Sequence, residues 1–133
     1  KNGEDLSKPV LESFKFSIES QADVINDKIY FSPLFFLKTK ENPFKLETRE
    51  FPVDFGYPTS SSYSITINIP SGYKVESKPE PVALMLPDNL GSYKYNISVK
   101  QNMIQLAIEI EINESRISPI YYNDLKIYFL PIW

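Results

Sequence analysis

The sequence contains neither cysteine nor histidine. Without cysteine there is no thiol nucleophile, and without histidine the usual general base near neutral pH is missing. Zinc sites also draw mainly on these two residue types. Hydroxyl groups, carboxylates, lysine and arginine are the reactive groups that remain. The sequence therefore predicts a chain that is not an enzyme, with no catalytic residue, no metal site and no bound cofactor.

Basic residues and long apolar runs are also scarce. The formal net charge is -3 and the pI is about 5.0, so no basic stripe is available to bind nucleic-acid phosphates or an anionic membrane surface. No apolar run approaches the roughly 20 residues of a membrane-spanning helix. The opening residues, Lys1 to Asp5, are polar and partly acidic, so any signal sequence is expected to have been removed or to lie upstream. We therefore predict no nucleic-acid partner and no membrane partner.

What the chain does contain is an alternation of apolar and polar residues. Hydrophobic residues make up 42% of the 133 residues, enough for one domain with a substantial core. Apolar side chains recur at every second position in 63–69, 93–99 and 104–112. The polar pair Gln101-Asn102 joins the last two runs, as in a β-hairpin. One apolar face and one polar face favour an antiparallel sheet.

Shorter strands are predicted around these three runs. The alternating residues 14–18 are expected to pair with 28–31 through a turn at Asn26-Asp27. Further short strands are expected at 48–54, 73–77 and 82–86. The predicted fold is therefore mostly β, an antiparallel β-sandwich of about seven strands.

The carboxyl-terminal part has helical spacing instead. Ser118 can cap a helix whose first position is Pro119, and Pro131 would end it. Tyr121, Leu125 and Tyr128 would then share one face. The sequence thus predicts one short C-terminal helix.

The predicted organisation is one domain of a longer protein. Residues 1–9 are expected to form a flexible N-terminal segment, residues 10–133 the β-sandwich domain with its helix, and 37–45 a flexible loop. The predicted aliphatic core comes from the alternating runs and comprises Ile65, Ile67, Ile97, Leu106, Ile108 and Ile110. Five aromatic residues fall on the same apolar phase and are also expected in the core, namely Phe14, Phe16, Tyr63, Tyr93 and Tyr95.

Carboxylate pairs are the only candidate catalytic groups. Glu109 and Glu111 lie two residues apart on one strand, so both project from one face about 7 Å apart, a spacing that could serve a glycosidase. The solvent face of an amphipathic strand explains them more simply. The pairs Asn26-Asp27 and Asp88-Asn89 lack the spacing of a calcium loop and are predicted to form turns.

A structural corner is predicted between Arg49 and Pro58. Arg49 is expected to pair with a carboxylate, Asp54 being the first candidate. Gly56 and Pro58 are expected to fix a chain reversal that only certain backbones allow.

Four aromatic residues lie outside the clean strand patterns, and these are Phe35, Phe36, Tyr57 and Trp133. Exposed aromatic side chains anchor protein partners or stack on sugar rings. We therefore predict that these four belong to an interaction surface.

Several blocks of the sequence also resemble a known family. The most specific block is Arg49-Glu50-Phe51-Pro52-Val53-Asp54-Phe55-Gly56-Tyr57-Pro58. Asp27-Lys28-Ile29-Tyr30-Phe31-Ser32-Pro33-Leu34 precedes it, and Ile69-Pro70-Ser71-Gly72-Tyr73 and Ser118-Pro119-Ile120-Tyr121-Tyr122 follow. In this order, over about residues 10–130, the blocks resemble the C-terminal domain of unknown function in bacterial transglutaminase-like proteins.

That resemblance implies a place in a larger protein. Members are multidomain, mostly secreted proteins with a β-rich domain first, a papain-like transglutaminase core second and this domain last. It implies a bacterial periplasmic or secreted location, with the core as a partner in the same polypeptide. The family's catalytic Cys, His and Asp belong to the core, so no catalytic role carries over.

Three functions follow as hypotheses. The leading one is a non-catalytic accessory domain that packs on the transglutaminase-like core or positions its substrate. The alternative is an independent module that binds a glycan or a peptide through exposed aromatic residues or a free sheet edge. The third is a carboxylate-based hydrolase.

Overall fold

A computed structural model describes residues 1, 3–5, 7–15, 17, 19–35 and 41–129 of the chain. The chain divides into two compact units, Lys1–Phe35 and Phe36–Trp133. The flexibility predicted for residues 1–9 stays a prediction. Residues 37–40 of the loop 37–45 lie outside the described residues, as do Phe16, Phe36, Pro131 and Trp133.

The first unit contains an antiparallel hairpin of β1 (Ala22–Ile25) and β2 (Lys28–Phe31). Asn26 and Asp27 form its turn with φ values of 49° and 61°. Consecutive left-handed residues match the right-handed twist of the flanking strands, and Asn and Asp tolerate that conformation well. The turn predicted at this pair is confirmed.

The predicted partner of β2 is wrong. A two-residue turn pairs each strand with the residues immediately beside it, so β2 pairs with β1 and not with residues 14–18. Phe14 is not a core residue, because 77% of its surface is exposed.

The second unit is built on a four-stranded antiparallel sheet in the order β4-β7-β6-β5. Its strands are β4 (Thr59–Asn68), β5 (Val82–Met85), β6 (Gly91–Lys100) and β7 (Met103–Ile112). A separate short ladder joins β3 (Val53–Asp54) to β8 (Arg116–Ile117).

The predicted fold class is confirmed as mostly β, with antiparallel sheets and one short C-terminal helix. The described residues contain eight strands where about seven were predicted. Two of the short strands differ from prediction. The strand expected at 48–54 is confined to β3, and no strand forms at 73–77.

One face of the sheet carries the core. On β6 and β7 the predicted core residues Ile97, Leu106 and Ile108 are buried, with Tyr93 and Tyr95 beside them. On β4, by contrast, Tyr63, Ile65 and Ile67 are only half-buried, as is Ile110 on β7. The residues of β4 lie at an edge, where they have neighbours on one side of the strand instead of two. On β4, half-burial therefore follows from strand order, whereas Ile110 on inner strand β7 lies opposite the small side chain of Ser61.

The C-terminal helix packs against one end of the sheet, through contacts of Tyr128 with β6 and β7. A 3-10 turn at Pro119–Tyr121 leads into α1 (Tyr122–Tyr128), and the Ser118 hydroxyl accepts a 3.5 Å hydrogen bond from the backbone N–H of Ile120. The helix start predicted at Ser118-Pro119 is confirmed. The buried side chains of α1 are Tyr122, Leu125 and Tyr128, so Leu125 and Tyr128 are buried as predicted, and Tyr122 is buried in place of Tyr121.

Tyr128 joins this helix to the sheet. Its ring meets the ring of Tyr93 edge-to-face at 6.4 Å, and its hydroxyl lies 2.9 Å from the carbonyl oxygens of Ser92 and Glu111, to which it donates. Those two residues face each other across the β6–β7 ladder. Burial raises the pKa of the Tyr128 hydroxyl to about 12. The neutral hydroxyl thus fixes α1 over β6 and β7.

An extended segment lies along the other side of the helix. The Asn42 side-chain amide donates to the carbonyl of Lys126 at 2.9 Å, and the Lys126 ammonium donates to the carbonyl of Leu46 at 3.0 Å. Between them, the buried ring of Phe44 meets Tyr122 at 5.8 Å and Phe129 at 5.1 Å, both edge-to-face. This segment satisfies a carbonyl at the helix C-terminus and closes the core on that side.

Candidate interaction surface

The predicted corner is built around the carboxylate of Asp54. One of its oxygens accepts from the backbone N–H of Gly56 at 2.8 Å, and the other accepts from Arg116 at 2.9 Å. The Gly56 hydrogen bond and then the Arg116 guanidinium hold the pKa of Asp54 below its ordinary value. Gly56 has a φ of 79°, a conformation that favours glycine. The chain bends at Gly56, but the predicted reversal is wrong, because β3 and β4 both run antiparallel to consecutive segments of one partner, β8 and β7.

The predicted partner of Asp54 is wrong. Arg116 lies opposite Asp54 on the β3–β8 ladder and reaches it directly. Arg49 instead donates to the carbonyl of Phe51 at 2.9 Å, and among the described residues no carboxylate lies within ion-pair distance of it. Arg116 thus reaches Asp54 from across the ladder, whereas Arg49 is used in a hydrogen bond to a carbonyl two residues away.

Aromatic residues alternate between anchored and exposed positions along this corner. Phe55 stacks on Phe129 with ring centroids 6.4 Å apart, and its backbone N–H donates to the carbonyl of Ser115 at 2.8 Å. On either side, 74% of Phe51 and 70% of Tyr57 is exposed. After Tyr57, Pro58 leads directly into β4. Phe55 thus anchors the corner to the rest of the second unit, while the aromatic side chains of Phe51 and Tyr57 are exposed to solvent.

The four aromatic residues predicted for an interaction surface have different outcomes. Tyr57 is exposed, and its place in an interaction surface stays a prediction. Phe35 is half-buried and stacks on Phe31 at 6.1 Å, within the first unit. Phe36 and Trp133 lie outside the described residues. Sequence patterns did not single out Phe51 or Ile120, although both are 74% exposed.

Cross-strand partners occupy the carboxylates that the sequence marks as a possible catalytic pair. Glu109 forms a 3.1 Å ion pair with Lys94, and Glu111 accepts a 2.9 Å hydrogen bond from the Ser92 hydroxyl. Both pairs bridge β6 and β7 on the polar face. Glu109 and Glu111 therefore lie on the polar face of an amphipathic strand, the simpler of the two explanations that the sequence offers.

Two further findings bear on possible sites. Within the described ranges, no group of three acidic, histidine or cysteine residues is placed to hold a metal ion. No helix in that part of the chain is long and apolar enough to cross a membrane. The predicted turn at Asp88-Asn89 is confirmed, with φ values of 52° and 57°, and the Asp88 carboxylate accepts a hydrogen bond from the Tyr121 hydroxyl.

Comparison with known families gives a match over most of the chain. The model of a family described as "Domain of Unknown Function with solved-structure structure (DUF3858)" matches residues 27–132. The chain belongs to the DUF3858 family. No curated protein and no solved structure matches it.

The DUF3858 match includes the whole four-stranded sheet, the corner and the helix, and it begins at the turn of the β1–β2 hairpin. It confirms the coarser part of the resemblance, a domain of unknown function. DUF3858 as described assigns no activity to any of these residues.

Proposed function

We propose that this chain is a non-catalytic accessory domain that packs on a transglutaminase-like core in the same polypeptide, in a bacterial periplasmic or secreted protein. The observation that carries the proposal is the anchored corner, which presents Phe51 and Tyr57 to solvent from a fixed backbone. The sequence resemblance supplies the identity of the core.

Fixed aromatic residues suit a docking role for a physical reason. Interface energy concentrates in a few large side chains, and ordering them on binding costs entropy. Here the Asp54–Arg116 pair and the Asp54–Gly56 hydrogen bond order the backbone before any partner arrives. Little further ordering is then needed when Phe51 and Tyr57 enter a pocket on the core.

The alternative is an independent module that binds a peptide or a glycan. Exposed Tyr57 supports it, because a tyrosine ring offers both a stacking face and a hydroxyl. The two functions differ in whether the rest of the parent protein needs this domain.

The test is to express the upstream core without this domain and to measure its stability and turnover, alone and after adding the separate 133-residue chain. We expect the core alone to be less stable or less active and the added chain to restore it. Phe51→Ser with Tyr57→Ser should abolish the restoration, while Tyr73→Ser, an exposed aromatic residue elsewhere in the second unit, should not. A core that is unaffected by deletion would replace the accessory role with the binding module.

A further inference from the structure

The outer edge of β4 pairs with no other strand in the part of the chain that the structure describes. The strand runs for ten residues, Thr59–Asn68, and is hydrogen-bonded only to β7. Backbone donors and acceptors on such an edge are available to another extended strand.

The register identifies which backbone groups face outward. In an antiparallel ladder, the N–H and C=O of one residue point to the same side, and successive residues alternate. The N–H of Ile69 donates to Asn102 at 2.8 Å, so it points toward the β7 side. Odd-numbered residues of β4 therefore face β7, and the even-numbered ones face outward. The outward groups belong to Ser60, Ser62, Ser64, Thr66 and Asn68.

The side chains of these residues leave the edge accessible. All five are exposed, small and uncharged, and β4 contains no proline. On the opposite face, Tyr63, Ile65 and Ile67 are half-buried, while Leu106 and Ile108 on neighbouring β7 are almost fully buried. An added strand would therefore gain backbone hydrogen bonds and would also cover apolar surface.

We propose that the occupant of this edge is a second copy of the same chain, joined β4 to β4 in an antiparallel pair about a twofold axis. A twofold axis perpendicular to the sheet keeps the apolar faces of both copies on one side. Residues directly opposite each other must then both be even-numbered or both odd-numbered. The absence of charge on β4 means that self-pairing places no like charges opposite each other.

One register uses every outward group. When Ser64 lies on the axis, Ser62 faces Thr66 of the other copy and Ser60 faces Asn68, so each outward N–H and C=O has a partner. Shifting the axis by one residue to 63 or 65 leaves some of them unpaired. With Ser64 on the axis, Tyr63 faces Ile65 of the other copy on the apolar side. The result is a continuous eight-stranded sheet, four strands from each copy.

This proposal is independent of the proposed function, since it rests on β4 and not on Phe51 or Tyr57. The first test measures the molar mass of the 133-residue chain by light scattering over a wide range of concentrations. We expect a reversible monomer–dimer equilibrium. Ser64→Lys should weaken dimerisation by about tenfold or more, because like charges would be placed together at the axis. Asn96→Lys puts the same charge on the same polar face of inner strand β6 and should not change it.

A cysteine test reads the register directly, because the chain contains no other thiol. Residues facing each other in a hydrogen-bonded antiparallel pair have Cα atoms about 5.5 Å apart, within disulfide range. Ser64→Cys should therefore give a covalent dimer on oxidation. Ser60→Cys should not, because the two Ser60 positions would be eight residues apart along the pair, roughly 27 Å.

Three results would overturn the proposal. The first is a chain that stays monomeric at its highest soluble concentration. The second is a dimer that Ser64→Lys leaves as strong as Asn96→Lys does, with circular dichroism showing both variants folded. The third is a dimer in which Ser60→Cys cross-links as readily as Ser64→Cys.

Discussion

The two edges of the four-stranded sheet differ in how the sequence protects them. Neither edge strand contains proline or charge, and each has a proline immediately before it and another two residues after its end. They differ in length, because β5 has four residues and β4 has ten. Natural sheets limit pairing at their edges by keeping edge strands very short. β5 follows that rule and β4 does not.

The two sides of the sheet also differ in how well their apolar residues are covered. Near the β5–β6 connection, α1 contacts the sheet through Tyr128, which reaches the backbones of β6 and β7. Gly91 allows this end to close tightly, because a Cβ there would collide with the carbonyl oxygen of Glu111. At β4 the apolar residues stay half-exposed. The comparison indicates that stability resides on the β6–β7 side, while β4 is left for a partner.

The largest expected effect is on the covered side. Leu125, a residue of α1, is fully buried, with 0% of its surface exposed. Leu125→Ala should lower the free energy of unfolding by about 2–5 kcal/mol, the range for truncating a buried leucine. Urea denaturation followed by circular dichroism measures this change.

Ile67→Ala on β4 is the matched truncation on the open side. Because Ile67 is half-buried, the loss should be roughly half as large. The measurement should be made on dilute protein, so that pairing between copies does not contribute. Equal losses for Leu125→Ala and Ile67→Ala would remove the distinction between the two sides.

A smaller effect is expected where α1 is fixed to the ladder. Tyr128→Phe removes one hydroxyl donor and should cost about 0.5–1.5 kcal/mol, the usual net value of a hydrogen bond. Tyr122→Phe is a suitable control on the same helix, because no hydrogen bond of its hydroxyl is described. Unfolding free energies that fall equally in both variants would contradict the role given to the Tyr128 hydroxyl.

The same hydroxyl predicts a dependence on alkaline pH. The ordinary pKa of tyrosine is 10.0, and burial raises that of Tyr128 to about 12. The folded state therefore holds this proton more tightly than the unfolded state. Its contribution to stability is complete below pH 10.0 and is lost as the pH rises toward 12. Tyr128→Phe should reduce the loss of stability over that interval relative to the unmodified chain.

The smallest effect is expected at the corner that precedes the open edge. The folded pKa of Asp54 lies below its ordinary value of 3.8, so the contribution of this carboxylate is present above pH 3.8 and is lost as the pH falls through the folded pKa. Asp54→Asn should therefore lower stability slightly at neutral pH and weaken the acid dependence. An acid dependence that is the same in Asp54→Asn as in the unmodified chain would contradict this role of the Asp54 carboxylate.

Local alternation predicted the long strands well. Each residue of β4, β6 and β7 faces either the core or solvent, and the sequence records that choice at every second position. The turns at Asn26-Asp27 and Asp88-Asn89 were also predictable, since their conformation depends on only two residues. The prediction of a short strand at 73–77 was wrong, because no described strand pairs with this segment.

Long-range features were not predictable from these patterns. Asp54 and Arg116 are 62 residues apart, and only the β3–β8 ladder brings them together. The half-burial of Ile65 and Ile67 depends on β4 being an edge, which is a property of strand order. Nothing in the alternation of residues 63–69 distinguishes an edge strand from a central one.

Amide hydrogen exchange at β4 tests the central claim most directly, because it reads both sides of one strand. In dilute protein, the N–H groups facing β7, such as those of Ile65 and Ile67, should be protected, and those of Ser62, Ser64 and Thr66 should exchange rapidly. In concentrated protein, the outward groups should become protected as the copies pair. Outward groups that stay unprotected at every concentration, or that are equally protected in dilute protein, would contradict the account.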